Sequence, residues 1–192
     1  MCGIVAYVGQ KNAQNLLLEG LKRLEYRGYD SAGICIAHSH ALHLRRTVGR
    51  ISVLEASLEA PGHQLPPGHL GMAHTRWATH GAPTEINAHP HTDASKTIAL
   101  VHNGIIENYA TLKQFLIEKG HTFSSQTDTE VLAVLIAHFY KGHEEKGLAK
   151  AVQAALHETR GTYGIAVMSA KEPDTLVVAR RGSPLIICVG NF

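Results

Sequence analysis

Apolar positions along the chain change period several times, and each change marks an element. Residues 4–8 form a short apolar run of the kind a buried strand makes. From 12 to 25 the period lengthens: Leu17, Leu18, Leu21 and Leu24 recur at helical spacing, with Gly28 placed to end the helix. Apolar runs at 33–37, 42–47, 70–74 and 97–101 predict further strands, and the Pro- and Gly-rich stretch 61–68 predicts a surface loop. Helical spacing returns over 109–119, with Asn108 positioned as N-cap and Gly120 just past the end. A second helix is expected to start at Thr127, where Thr127-x-x-Glu130 forms a capping box ahead of Val131, Leu132, Leu135 and Phe139. A weaker helical pattern covers 148–156, and strand-like runs at 164–168, 176–179 and 185–189 close the chain.

Strands come in blocks with helices inserted in pairs, not in the alternation of a doubly wound parallel sheet. Two mainly antiparallel sheets with helical layers are therefore expected. No internal repeat, low-complexity tract or linker divides the 192 residues, a length that fits one domain with one sizeable core. The chain stops straight after its last strand-like run, which suits a complete domain and a truncated one equally.

Composition then removes several functional classes. A net charge of +2 without any Lys/Arg run gives no reason to expect nucleic acid or an anionic membrane surface as partner. The longest apolar stretch, 131–137, is far too short to cross a bilayer. The first residues lack the basic flank and long apolar segment of a secretory signal, so a cytoplasmic location is expected.

The cysteines Cys2, Cys35 and Cys188 cannot make a disulfide framework. Cys35 and Cys188 sit inside strand-like runs and read as small buried hydrophobes. Cys2 differs by position. A thiol becomes a useful nucleophile when a base is near, and behind a removable Met1 the cysteine's own α-amine, with a reference pKa of about 7.7–8.0, can be that base. A Met-Cys start alone is a weak signal. Here, however, Gly3 allows close backbone approach, and Ile4-Val5 anchors the terminus in a strand at once, unlike a frayed chain end.

Five ordered blocks carry a resemblance. Cys2-Gly3-Ile4-Val5 resembles the opening of the class II, N-terminal-nucleophile amidotransferases once the initiator Met is removed. Residues 24–33 (LEYRGYDSAG), 74–81 (HTRWATHG), 87–91 (NAHPH) and 102–108 (HNGIIEN) are similar to the form these blocks take in the glutamine–fructose-6-phosphate aminotransferase branch of that family. The likeness runs through Gly182-Ser183-Pro184. Other branches, such as amidophosphoribosyltransferase and asparagine synthetase, share the Cys-Gly opening but word the later blocks differently.

The resemblance implies a four-layer α/β/β/α sandwich of the N-terminal-nucleophile hydrolase type and a glutaminase reaction. Cys2 would attack the side-chain amide of L-glutamine, release ammonia and leave a γ-glutamyl thioester for water to hydrolyse. Asn103 and Gly104 would form the oxyanion hole; Asn-Gly is also a common hairpin turn, and a turn would present both donors. Arg76 would hold the α-carboxylate through its guanidinium fork, where otherwise it would be a surface ion-pair partner. Asp128 would take the α-ammonium, although a carboxylate in a first helical turn is stabilised by the helix dipole without any ligand. Trp77, alone of its kind, would belong to a loop that closes over glutamine, with Thr79 and His80 lining the pocket. Arg27 and His89 would support these groups or simply hold loops together.

No cofactor and no metal are expected. The 14 histidines include the pair His89-x-His91, yet no Cys or carboxylate stands at zinc-like spacing beside them. The expected domain spans 1–192, ends somewhat before the family's glutaminase domain does, and lacks the sugar-isomerase domains to which the longer enzymes deliver ammonia for fructose-6-phosphate. Those full-length enzymes would be homo-oligomers. Two alternatives stay open: another class II or N-terminal-nucleophile amidohydrolase, and a histidine-rich metal-binding module.

Overall fold

A computed structural model describes residues 2–27, 29–77 and 82–190, with Arg27 described by its backbone alone. Strand β1 (Gly3–Val8) leads into helix α1 (Ala13–Lys22), followed by the hairpin β2 (Ser31–His38) and β3 (Ala41–Val48). Helix α2 (Ile51–Glu59) and strand β4 (Leu70–Arg76) complete the first half. The second half holds β5 (His91–Thr92), β6 (Ile98–Ile106), α3 (Tyr109–Glu118), α4 (Asp128–Tyr140), α5 (Leu148–Glu158), β7 (Gly161–Ser169) and β8 (Glu172–Arg181).

The strands form two four-stranded sheets, ordered β1-β4-β2-β3 and β5-β6-β7-β8, with every named pairing antiparallel. Period-2 alternation sorts their side chains into three cores. One face of the first sheet (Ile34, Ile36, Ala73) packs on Leu17 and Leu21 of α1 and Leu54 and Leu58 of α2. The opposite face (Cys35, Met72) meets Ala99, Val101, Ala166 and Met168 of the second sheet. That sheet's other face (Ile98, Leu100, Ile165, Val167) packs on α3, α4 and α5. The result is the four-layer α/β/β/α sandwich.

Several boundaries differ from expectation for physical reasons. Helix α1 ends at Lys22, well before Gly28, which itself lies outside the described residues. Helix α2 has its apolar residues Ile51, Leu54 and Leu58 at helical spacing but was not anticipated, because no residue before it signals a start. Its Arg50 N-cap makes no side-chain cap, and the distant Glu25 Oε1 accepts the Ile51 N–H instead, at 3.2 Å. The expected strand at 185–189 does not form. It finds no partner strand, and Ile186 and Val189 are 85% and 97% exposed. Cys188 is accordingly exposed, not buried as its apolar neighbours suggested, whereas Cys35 is fully buried.

Capping is also partly reassigned. Asn108 precedes α3 but caps nothing with its side chain; it bridges the Glu158 carbonyl and the Arg160 N–H, each at 2.8 Å. Half of the α4 capping box forms: Thr127 Oγ1 accepts from Glu130 N at 3.2 Å. Glu130 turns instead to the preceding loop, where its two oxygens take the N–H and O–H groups of Ser124 and Ser125 at 2.6–2.8 Å. Burial alone would raise the Glu130 carboxyl, but these four donors outweigh it and hold it below its ordinary range. A carboxylate with depressed folded-state pKa stabilises above its unfolded value and loses that contribution as pH falls through the folded one. Glu130→Ala should therefore destabilise the protein by about 1–3 kcal/mol at neutral pH. The gap to wild type should narrow as pH drops below the ordinary carboxyl value of 4.5, read by urea denaturation at each pH.

Candidate active site

Strand pairing brings the chain terminus to the middle of the molecule. In the antiparallel register of β1 with β4, Gly3 stands opposite Thr75, so Cys2 comes to rest beside the end of β4. Gly3 N donates to Thr75 Oγ1 at 3.1 Å, which pins the first strand residue. The half-buried Cys2 Sγ then receives the backbone N–H of Trp77 at 3.2 Å.

Asn103 reaches the same point from the second sheet. It lies on β6, paired with Gly164 of β7, and its Nδ2 donates to the Cys2 carbonyl at 3.3 Å. The Asn-Gly pair is thus not a turn. It sits inside a nine-residue strand that runs on to Ile106, beyond the expected end at 101. Gly104 keeps its place in the ladder opposite Tyr163 with a φ of +139°, a backbone conformation that favours glycine. A Cβ there would stand 2.1 Å from the Thr162 carbonyl oxygen. Ser183 Oγ donates to the Asn103 carbonyl at 3.3 Å, tying the segment after β8 to the same residue.

These groups line one cavity of about 1390 Å³ that also carries Arg76, Trp77, His89, Asp128 and Thr129 on its walls. Arg76, past the expected strand end at 74, is the last residue of β4; it is 4% exposed and its Nη1 donates to the Ala82 carbonyl at 3.4 Å. Trp77, just beyond that strand, is 54% exposed. Asp128 is buried at the N-terminus of α4, where its Oδ2 accepts the Ile106 N–H at 2.8 Å. The α4 start thus serves as a bracket for the end of β6 as well as a capped helix. Thr79 and His80, and the side chain of Arg27, lie outside the described residues.

A layer of buried imidazoles backs the cavity. His74 stacks on His89 with ring centroids 4.1 Å apart, and His89 meets His91 edge-on at 4.9 Å. His89 Nδ1 accepts the His102 backbone N–H at 3.3 Å, and His91 Nε2 lies 3.1 Å from Thr127 Oγ1. Burial pushes His74 and His91 down to about 3, and His89 well below its usual range. His102 is lowered by burial too, against the pull of the Asp128 carboxylate 4.0 Å away. All four rings are therefore neutral near pH 7 and act by hydrogen bonding and packing. Of these residues only His89 had been assigned a supporting role in the site. His74 carried a usable signal, since it lies two residues before Arg76 and so on the same strand face.

The arrangement matches known proteins in two ways. In fold it is an N-terminal-nucleophile amidotransferase: it superposes on the glutamine phosphoribosylpyrophosphate amidotransferase of B. subtilis with a TM-score of 0.75 at 27% identity, over 94% of this chain and 37% of that one. In sequence, the family described as glutamine amidotransferase domain matches residues 74–190. The chain belongs to that glutamine amidotransferase family. Over 191 residues it is 52% identical to the glutamine–fructose-6-phosphate aminotransferase (isomerizing) of Chlorobaculum tepidum and 49% identical to that of Thermococcus kodakarensis. Each comparison covers 100% of this chain but 31% of the relative, so the chain spans under a third of those proteins' length.

Gly104 yields a test independent of any assay. Gly104→Ala should lose more than about 3 kcal/mol of unfolding free energy, since backbone strain and a clash with Thr162 add. Gly120→Ala is the control: its φ is +84° but nothing lies within 4 Å of the added carbon. There the loss should be only about 1–2 kcal/mol, again by urea denaturation.

Proposed function

We propose that this chain hydrolyses the side-chain amide of L-glutamine to glutamate and ammonia through a thioester on Cys2. The observation that carries the proposal is the meeting of Cys2 and Asn103 from different sheets, 3.3 Å apart at the wall of one cavity. Once Met1 is cleaved, the free α-amine of Cys2 takes the thiol proton and the thiolate attacks the carboxamide carbon. The carbonyl oxygen gains negative charge, which Asn103 Nδ2 and the Gly104 N–H are suited to accept. The amine passes its proton to the departing nitrogen, and ammonia leaves. Water then attacks the thioester, with the amine as base, and glutamate is released.

Arg76 and Asp128 supply opposite charges on the cavity wall and fit the α-carboxylate and α-ammonium of one amino acid. Trp77 stands at the mouth, where it can fold over the ligand and exclude water. Thr79 and His80 complete the pocket in this reading, while Arg27 and His89 support it. No cofactor or metal takes part.

The relatives' name supports a fate for the ammonia: within a longer chain it would pass to fructose-6-phosphate, in this reading on sugar-isomerase domains of a homo-oligomer. The glutaminase half-reaction is the part that these residues carry in this reading. The setting would be the cytoplasm, because phosphorylated sugars are charged and stay where they are made. Among the described residues no helix is long and apolar enough to cross a membrane.

Intact mass before and after 6-diazo-5-oxo-L-norleucine tests the nucleophile. Loss of Met1 and one adduct on Cys2, blocked by L-glutamine, is expected, and Cys2→Ala should form no adduct and no glutamate. Folded protein lacking Met1 that stays unlabelled would sink the mechanism. Steady-state kinetics should show kcat falling about 10²–10³-fold in Asn103→Ala with little change in KM. Arg76→Ala should act mainly on KM.

A further inference from the structure

Asn103 can serve a developing oxyanion only if its NH₂ end, and not its carbonyl end, faces the reacting centre. The two ends have nearly the same shape, so packing cannot choose between them; hydrogen bonds must. On one side the Cys2 carbonyl, which can only accept, selects Nδ2. On the other side Oδ1 lies 2.8 Å from His74 Nε2.

Resting on the glutaminase reading above, we propose that His74 is the positioning residue of the oxyanion hole, its Nε2–H holding Asn103 Oδ1 so that Nδ2 stays turned toward the nucleophile. His74 belongs to the first sheet and does not line the cavity, so it acts through Asn103 and not on substrate. Its tautomer follows from the contact: the Cys2 carbonyl takes the Nδ2 end, so Oδ1 needs a donor and the proton is on Nε2. Stacking on His89 fixes its plane. Burial holds the ring neutral down to about pH 3, so His74 should contribute no inflection near neutrality.

Five variants of the chain test this: His74→Leu, His74→Gln, His74→Asn, Asn103→Ala and the His74→Leu/Asn103→Ala double. Glutamine places a terminal NH₂ near where Nε2 stands, while asparagine is too short to reach Oδ1. The readouts are kcat and KM for L-glutamine, inhibition by glutamate γ-semialdehyde, and alkylation of Cys2 by iodoacetamide. The aldehyde adds reversibly to the thiol as a tetrahedral hemithioacetal whose oxygen sits in the hole; alkylation needs no hole.

His74→Leu should lower kcat by about 10²-fold, with KM within about threefold. Aldehyde affinity should fall by the same factor, while the alkylation rate stays at the wild-type value. His74→Gln should recover most of kcat and His74→Asn should not, a contrast that holds even if the leucine variant folds poorly. The double variant should be no worse than Asn103→Ala. A near-wild-type kcat in His74→Leu or His74→Asn, additive losses in the double, or equal loss in the glutamine and asparagine variants would overturn the proposal. An Asn103→Ala variant with full kcat would overturn it too, and would place the fault in the oxyanion assignment itself.

Discussion

The hydrogen bond from Asn103 to the Cys2 carbonyl joins two sheets that share no ladder. Its 3.3 Å span is set by the depth of the apolar layer between the sheets, where Met72, Val101, Ala166 and Met168 interdigitate. A methylene more or less in that layer would move the two halves of the site apart or together. Displacements of about an ångström are enough to damage a reaction that relies on fixed geometry. The catalytic arrangement is thus a property of the whole sandwich. The outer helices hold each sheet, the inner layer sets their separation, and Cys2 enters the site from the edge strand β1.

The electrostatics follow from the same packing. Arg76 and Asp128 are buried charges at the cavity, each already engaged by backbone: an Ala82 carbonyl for one, the Ile106 N–H for the other. Such contacts orient the side chains before any ligand arrives. Behind them the imidazoles supply directed donors and acceptors without charge. A cationic ring behind the hole would weaken the preference of Arg76 for a carboxylate by competing for it, so neutrality there favours selective binding of an amino acid.

Much of this was legible in the chain. Alternation and helical spacing located most strands and helices, and Cys2, Arg76, Asn103, Gly104 and Asp128 all reach one cavity. What was hidden depends on partners distant in sequence. Helix α2 starts on a carboxylate from Glu25, which no local rule reveals. The run 185–189 has the composition of a strand but no neighbour to pair with, and composition alone cannot supply one. Asn103-Gly104 looks like a turn locally, yet pairing with β7 makes it strand. His74 looked like any strand residue because its meaning lies in one contact 29 positions away.

The histidine layer also bears on how the molecule fails. Each ring that is neutral when folded but takes a proton at about 6.5 when unfolded makes unfolding a proton-consuming event. As acidity rises from that value toward the folded one near 3, His74 and His91 each erode stability progressively, and His89 adds to the slope. The same buried layer therefore also sets an acid limit on the fold. In a compartment that turned acidic, this domain would lose stability before its buried rings took up protons in the folded state.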